Sequence, residues 1–285
     1  MTKVFVNNYQ EATAILTNRD FAQSLYDESS IIMKDVILTS EGDSHIKRRK
    51  AEYHLFRKEI SRNYEQLDFP KILKPLIDHS FSKGSADLVE LGYLVTMNVT
   101  ADISGIDVPK DFIKTRNLLK LVKIFSEGAT LVHSLKDKKI IRKQVLDALD
   151  EFDREFYSSS LNRRKDILKK FEAGEINEDD LPKDVLTILL RNNNKLQLSN
   201  DIIRREVAFY LQAGSHSTAN ASTHAFHELF EWIKSHPEDK NIIKNDKFFL
   251  QKCVFETLRL HPASPVAWRK AVSPSKILEK KNIKE

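Results

Sequence analysis

The longest regular pattern of apolar and polar positions in the chain runs from Asp201 to Ser235. Apolar residues recur there every three or four positions, the spacing that places them on one face of an α-helix. Ser199 and Asn200, residue types that often cap helices, precede the stretch, and Pro237 follows its end. We therefore predict a single helix of roughly 50 Å, which is long enough to cross a whole domain.

The middle of this predicted helix departs from the pattern. Positions 213–220 read AGSHSTAN and hold only small or polar residues, where a core helix normally carries Leu or Ile. A glycine inside a helix costs about 1 kcal/mol relative to alanine, so its presence calls for a reason. We predict that something large lies against the helix here and that the hydroxyls loosen its backbone hydrogen bonds.

The same helical period covers most of the remaining chain, with short polar or proline-containing breaks between the segments. Only Val4–Val6 and Ala263–Val272 are predicted to be extended, and the charged residues Lys276–Glu285 to be frayed. No internal repeat or low-complexity linker divides residues 1–285, so we predict one mainly α-helical domain. The other predicted helices are Asn8–Leu16, Gly42–Tyr64, Pro70–Phe81, Ala86–Ile103, Phe112–Leu135, Ile140–Ser158, Leu161–Glu172, Pro182–Leu190 and Lys247–Leu260.

Composition excludes several classes of protein. Only 7 glycines and 8 prolines argue against a β-sandwich or barrel, in which turns are frequent. No run approaches about 18 apolar residues, so no membrane span is predicted, and the amino terminus lacks the apolar core of a secretory signal. The single Cys253 fits a reducing compartment, and we expect a cytoplasmic protein. The net charge of +5 is spread among interleaved acids, so no nucleic acid partner is predicted.

In each of two further stretches, two ionisable residues lie one helical turn apart. Glu256 and Arg259 lie three positions apart among apolar residues, so a buried ion pair is one alternative. Taken alone, the spacing favours the other, an exposed pair worth about 0.2–0.5 kcal/mol. His45 and Arg49 lie four positions apart and together could bind an anionic group by charge-assisted hydrogen bonds. The alternative for the second pair is a solvated, basic helix start.

Taken together and in this order, these stretches resemble the cytochrome P450 family of haem-thiolate monooxygenases. The family carries Gly-x-x-His-x-x-x-Arg on an early helix, (Ala/Gly)-Gly-x-(Asp/Glu)-Thr on a long helix across the haem, and Glu-x-x-Arg on a later helix. The resemblance implies a mainly α, cytochrome P450-like fold with a small β component, truncated at both ends. The matching positions are Gly42, His45 and Arg49; Ala213 to Ser217; Glu256 and Arg259; and Pro262, Pro265 and Arg269.

The resemblance implies a role for each matching position. His45, Arg49 and Arg269 would pair with the haem propionates. Ala213 and Gly214 would form the surface that approaches the haem closely, which would explain the small residues in the middle of the long helix. The pair on the Glu-x-x-Arg helix would be structural and lock that helix to the segment that carries the iron ligand.

The chain departs from the family at the oxygen-activating pair. His216 stands at the acidic position and Ser217 at the threonine position. One interpretation is that His216, with an ordinary pKa of about 6.5, relays protons to the catalytic centre while Ser217 supplies the hydroxyl. The other is that His216 points to solvent or caps a kink, and Ser217 alone touches the oxygen. Asn98, Phe209 and Ser217 are candidates for residues that face the substrate.

A second departure concerns the iron ligand, which in the family is a cysteine in a glycine-rich loop well beyond the Glu-x-x-Arg helix. Cys253 lies on that helix itself, three residues before Glu256, and is expected to be a buried, inert thiol. We therefore interpret the chain as an internal portion of such an enzyme. Haem is expected to be incompletely bound or absent in this chain alone, and a polypeptide encoded downstream is a possible partner that carries the cysteine loop.

The functional hypothesis is a monooxygenase that inserts one oxygen atom from O2 into a small organic substrate. Its electrons would come from a ferredoxin- or flavodoxin-type protein, which Lys47, Arg48 and Lys50 could help to dock. The alternative from another class is a non-catalytic helical remnant or ligand- or partner-binding protein. A third hypothesis, a metal-binding helix, rests on His227 and Glu231, which lie four positions apart.

Overall fold

A computed structural model describes residues 3–82, 84–108 and 112–273, and the charged segment 276–285 lies outside this range. The predicted mainly helical class is confirmed. Two π-helical turns, Tyr64–Asp68 and Asp153–Tyr157, interrupt the helices. The α-helices are α1 (Tyr9–Thr17), α2 (Ser30–Met33), α3 (Gly42–Glu52), α4 (Lys58–Asn63), α5 (Phe69–Ser82), α6 (Leu88–Ser104), α7 (Phe112–Ala129), α8 (Lys138–Phe152), α9 (Ser158–Glu172), α10 (Val185–Arg191), α11 (Asn193–Leu196), α12 (Asn200–Ser235), α13 (Lys240–Asn245) and α14 (Lys247–Leu260).

The long helix α12 forms as its sequence predicts. The Ser199 hydroxyl accepts a hydrogen bond from the backbone N–H of Ile202, which satisfies one of the free donors at the start of a helix. The helix continues without a break to Ser235, and His236 leaves the helical conformation. Its buried residues include Ile203, Val207 and Leu211, which lie on one face at helical spacing.

The partner of α12 is α6, and these two helices make the most extensive helix–helix contact among the described residues. The Asp87 side chain caps α6 by accepting from the backbone N–H groups of Val89 and Glu90. Gly105 ends the helix with a φ of +88°, a left-handed conformation that glycine adopts without a steric penalty. The prediction of a largely buried helix over 86–103 is therefore confirmed within two residues at either end.

The main apolar core lies where α7, α8 and α12 meet. Phe125 of α7 packs edge-on against Phe152 of α8, with ring centroids 5.7 Å apart, and both rings are fully buried. Gly128 of α7 packs directly against the side chain of Val145, which brings the backbones of α7 and α8 close together. A fixed core of this kind holds α12 in position relative to its neighbours.

The helix predicted over 112–135 ends at Ala129, and the predictions for the first strand and for the basic helix are wrong. Val4–Val6 is not a strand; the sheet is instead a two-stranded antiparallel pair of β1 (Phe21–Gln23) with β2 (Arg269–Ala271). The basic helix predicted over 42–64 stops at Glu52, because the chain turns through a 3-10 segment and an extended Arg57 before α4. Both differences arise because strand pairing and helix breaks depend on distant parts of the chain. No helix among the described residues is long and apolar enough to cross a membrane.

Candidate functional site

The small residues in the middle of α12 are the point where α6 crosses it. A Cβ atom added to Gly214 would lie 2.7 Å from Cγ2 and 2.9 Å from Oγ1 of Thr100, so a larger residue does not fit without movement. One turn along, the Thr96 hydroxyl donates a 3.1 Å hydrogen bond to the carbonyl oxygen of Ser215. The segment was predicted to have a large neighbour, and on the side of Gly214 that neighbour is helix α6. Ala213, by contrast, is exposed.

His216 is half-buried and lies against Tyr93 of α6. The two rings meet edge to face with centroids 5.5 Å apart, and His216 Nδ1 lies 3.4 Å from the Ser215 hydroxyl oxygen. Its Nε2 is buried and has no hydrogen-bond partner among the described residues. Burial, together with the positive charge of Lys123, lowers the pKa of His216 below its usual value, so the ring is neutral at pH 7.

Ser217 and the other candidate pocket residues have different surroundings. The Ser217 hydroxyl donates a 2.8 Å hydrogen bond to the carbonyl oxygen of Ala213, one turn earlier in the helix. Asn98 is buried, and its amide is already used, because Nδ2 donates to Leu94 and Oδ1 accepts from Thr115. Asn98 therefore fixes α7 against α6, and its role facing a substrate stays a prediction.

The three residues expected to hold the haem propionates form no ion pair within the described residues. His45 is half-buried and Arg49 is exposed one turn further along α3, and neither side chain has a hydrogen bond or ion pair within the described residues. The Arg49 guanidinium lies 5.3 Å from the centroid of the Phe56 ring. Arg269 lies in β2 and donates a 2.8 Å hydrogen bond to the carbonyl of Trp268. Within the residues that the structure describes, no hydrogen bond or ion pair joins Arg269 to α3, so their convergence on one ligand stays a prediction.

Arg48 was expected to lie on the surface with Lys47 and Lys50, and this expectation is wrong. Its side chain is only 3% exposed and forms a 2.6 Å ion pair with Glu206 of α12, whereas Lys47 and Lys50 are exposed. The sequence contained a signal for this pair. Glu206 follows Ile203 by three residues and precedes Tyr210 by four, so an acid stands within the apolar face of a helix.

Of the two alternatives for Glu256 and Arg259, the structure shows the exposed ion pair and not the buried one. The two side chains form a two-pronged ion pair, at 2.7 and 2.8 Å, but they are 57% and 67% exposed. Thr257, between them, is the buried residue of α14. The physical reason is that α14 packs mainly on α12 and α13, which cover only one of its sides. Phe248 and Phe255 of this helix are exposed as well.

The described residues contain no group of three or more His, Cys, Asp or Glu side chains placed to hold a metal ion. Cys253 is half-buried in α14, and burial raises the pKa of its thiol, which disfavours a thiolate. Glu231 pairs with Lys234 at 2.5 Å rather than with His227, so the predicted metal pair has no support from this geometry.

Comparison with known proteins decides the family, because the cytochrome P450 family model matches residues 1–285. The chain belongs to the cytochrome P450 family. Relatives include 2-hydroxyisoflavanone synthase from Glycine max, which is 26% identical in an alignment of length 180 that covers 55% of this chain and 34% of that protein. Cytochrome P450 4d1 of Drosophila melanogaster is 26% identical in an alignment of length 162 that covers 47% of this chain and 30% of that protein.

Solved structures agree with the cytochrome P450 fold. P450BioI, solved in complex with an acyl carrier protein ligated to hexadec-9Z-enoic acid, has a TM-score of 0.65 at 18% identity, over 89% of this chain and 61% of that one. The P450 enzyme CxnD, which forms a C–S bond in chuangxinmycin biosynthesis, has a TM-score of 0.70 at 14% identity, over 95% and 62%. At this identity the likeness shows the fold alone. The chain thus spans about a third of the curated relatives and three fifths of these structures.

The family implies a haem, and the site residues can be tested against it. The charge of Arg49 and the ring nitrogens of His45 suit a propionate, because both side chains are unpaired and one turn apart. Ala213 presents a small, exposed side chain on α12. The described residues offer no thiolate for the iron, since Cys253 is a half-buried thiol with a raised pKa. The residues therefore fit the periphery of a haem and not its axial ligand.

Proposed function

We propose that this cytochrome P450 chain forms part of a haem-dependent monooxygenase that inserts one oxygen atom from O2 into a small organic substrate. The observation that carries the proposal is the family match over residues 1–285. Haem iron with a thiolate ligand supplies the O2 chemistry in this family. We further propose a cytoplasmic location and an electron donor of the ferredoxin or flavodoxin type.

Within this function, His45, Arg49 and Arg269 bind the haem propionates by charge-assisted hydrogen bonds. The pair on α3 supports this role because neither side chain has a hydrogen bond or ion pair within the described residues. Ala213 and Gly214 line the approach to the haem. The packing of Gly214 against Thr100 gives a second, independent reason for a small residue at that position.

His216 and Ser217 are the proposed catalytic residues. The neutral His216 ring has a buried, unpartnered Nε2, which can accept a proton and pass it on. The Ser217 hydroxyl bonds to the Ala213 carbonyl and can rotate away to donate elsewhere. Restoring the family's acid with His216→Asp should shift the pH dependence of product formation to lower pH, whereas Ser217→Ala should reduce the yield of product per electron.

Lys47 and Lys50 are the remaining candidates for docking an acidic electron carrier, since both are exposed on α3. Reversing their charge, with Lys47→Glu and Lys50→Glu, should slow reduction by the carrier and weaken the dependence of its rate on salt. Lys120 of α7 is exposed too and serves as the matched control. Unchanged reduction rates in the double variant would remove this surface from the proposal.

We propose that the 285 residues alone bind haem weakly and without thiolate ligation. The decisive measurement is a carbon monoxide difference spectrum of the reduced, haem-supplemented protein, with and without the polypeptide encoded immediately downstream. A thiolate-type band that requires the added polypeptide supports a monooxygenase assembled from both. A thiolate-type band from this chain alone that is lost in Cys253→Ala contradicts the assignment of Cys253 as an inert thiol.

If neither preparation gives a band, the monooxygenase proposal fails, and the alternative of a non-catalytic helical remnant or binding protein stands. If the protein binds haem without a thiolate band, Arg49→Ala tests whether the residues proposed to hold the propionates are responsible. Lys47→Ala is the matched control on the same helix. We expect Arg49→Ala to weaken haem binding by about tenfold, the loss of one charge-assisted hydrogen bond, and Lys47→Ala to leave it unchanged.

A further inference from the structure

A buried group of charged residues connects α3 to α12 on the amino-terminal side of the small-residue segment. Arg48 donates from Nη1 to the Glu206 carboxylate at 2.6 Å and to the carbonyl oxygen of Asp35 at 2.7 Å. The same carboxylate accepts from the backbone N–H of Ile37, at 2.9 and 3.1 Å to its two oxygens. We call Arg48, Glu206 and the backbone of Asp35 and Ile37 the clamp.

The clamp holds a segment whose backbone is unusual. Asp35 has a φ of +61°, in the left-handed region that residues other than glycine seldom adopt. Its carbonyl accepts the hydrogen bond from Arg48 in that conformation. Because the segment leads directly into α3, the clamp fixes the position of the helix that carries His45 and Arg49.

Glu52 adds a second buried carboxyl one turn after Arg48. Its side chain accepts a hydrogen bond from the Tyr210 hydroxyl, and its other oxygen is buried without a partner among the described residues. The charged groups around Glu52 are Arg48, Arg49 and Glu206. Among the described residues the guanidinium of Arg48 pairs with Glu206 and not with Glu52, so ionisation of Glu52 as well places a second negative charge in the interior without a bonded cation.

The hydrogen bonds indicate which carboxyl keeps the proton. Both oxygens of Glu206 accept from the Ile37 N–H, and one also accepts from Arg48, so Glu206 carries the negative charge. Burial raises the pKa of Glu52 to about 7 from its ordinary 4.5, although Tyr210 and Arg48 act in the opposite direction. Burial and the neighbouring Glu52 also raise the pKa of Glu206, to about 8, so the two carboxyls compete for one proton. The bonds that Glu206 accepts from Ile37 and Arg48 favour its ionised form and leave the proton on Glu52.

We propose that Arg48 and Glu206 are positioning residues that hold α3, and with it His45 and Arg49, against α12, and that a proton on Glu52 keeps this clamp closed. Loss of the proton places a second negative charge beside Glu206 and weakens the attachment of the 35–37 segment. The effect on His45 and Arg49 as haem-binding residues rests on the proposed function, whereas the clamp itself does not.

Amide hydrogen exchange at Ile37, followed from pH 6 to pH 9 on the full chain, tests the clamp directly. With a pKa of about 7 in the closed state and 4.5 in the open state, linkage predicts that the protection factor falls about tenfold between pH 6 and pH 8 and then levels off. Glu52→Gln, which cannot ionise, should keep the protection factor constant within about twofold over this range. A pH-independent protection factor in the unaltered protein, or an unchanged slope in Glu52→Gln, overturns the proposal.

Glu206→Gln tests whether Glu206 holds the clamp specifically or only contributes to the stability of the whole fold. The variant removes the charge partner of Arg48. Because one charge-assisted hydrogen bond is lost, we expect the protection factor of the Ile37 amide to fall at least about tenfold at pH 6. The amide of Phe125 in the core should keep its protection. Equal losses at both amides mean that Glu206 serves only global folding, which contradicts the clamp. Tyr210→Phe is a matched control that leaves the hydrogen bonds of Glu206 intact. It should lower the protection factor of the Ile37 amide by less than Glu206→Gln does.

Haem titration of the same variants distinguishes failure of this inference from failure of the proposed function. If the clamp positions His45 and Arg49 for the haem propionates, Glu206→Gln weakens haem binding as Arg49→Ala does. The losses of haem affinity from the two changes are then not additive. Additive losses overturn the positioning role while leaving the proposed function intact. If the unaltered protein does not bind haem, the proposed function fails, and the positioning of His45 and Arg49 fails with it, whereas the exchange result still decides whether the clamp exists.

Discussion

Replacing Gly214 by alanine should destabilise the protein, although alanine is the better helix former. Helix propensity alone predicts a gain of about 1 kcal/mol for glycine to alanine inside a helix. The new Cβ would lie 2.7 Å from Cγ2, 2.9 Å from Oγ1 and 3.4 Å from Cβ of Thr100, which is 6% exposed and packed between the two helices. Overpacking of this kind costs about 1–3 kcal/mol, so we expect a net loss of about 1 kcal/mol.

The assay is urea unfolding followed by circular dichroism for Gly214→Ala, Thr100→Ala and the double variant. Thr100→Ala removes the two nearest atoms and the hydroxyl that donates to the Thr96 carbonyl. The double variant should therefore be more stable than the sum of the two single changes predicts, by about 1–2 kcal/mol. Ala213→Gly, one residue away on the exposed side, is the matched control and should cost only the propensity difference of about 1 kcal/mol.

A stabilised Gly214→Ala, or a double variant whose loss equals the sum of the single ones, would refute this reasoning. The crossing of α6 would then not be the reason for glycine at this position. The close approach of a cofactor would remain as the explanation for the small residues of α12, and haem titration of Gly214→Ala would become the informative measurement.

Three further predictions concern stability. Arg164→Ala should lower the free energy of unfolding in urea by about 3–5 kcal/mol, because the Asp184 carboxylate, 4% exposed, then loses its ion-pair partner at 3.0 Å and stays buried. Lys74→Ala, which breaks a surface ion pair, is the control and should cost less than about 1 kcal/mol. Phe125→Ala should cost about 3–5 kcal/mol, since the ring is fully buried in the core; a smaller loss would mean that the core collapses around it. Glu52 should contribute a fall of about 3 kcal/mol in the free energy of unfolding as pH rises from 4.5 to 7, because its raised pKa lets the folded state keep the proton. Glu52→Gln should reduce the measured fall by about that amount, and an unchanged fall would contradict the assignment.

The sequence determined the helices whose signals are local. The capping hydroxyl of Ser199, the apolar spacing of α12 and the glycine that ends α6 all act within a few residues of the positions they control. The family could likewise be predicted from the ordered set of three short motifs, which are the pair on α3, the residues around Gly214, and Glu256 with Arg259 before Pro262, because each motif is local in sequence. These predictions required no knowledge of which helix lies next to which.

Only the tertiary structure decided which face of each helix is covered. The sequence placed Arg48 and Arg49 side by side, but packing buries Arg48 against Glu206 and leaves Arg49 exposed. It predicted a large neighbour for Gly214 without showing that α6 is that neighbour, and it placed the first strand at Val4–Val6 rather than at β1. These features depend on contacts between residues more than a hundred positions apart, and periodicity within a segment carries no record of such contacts.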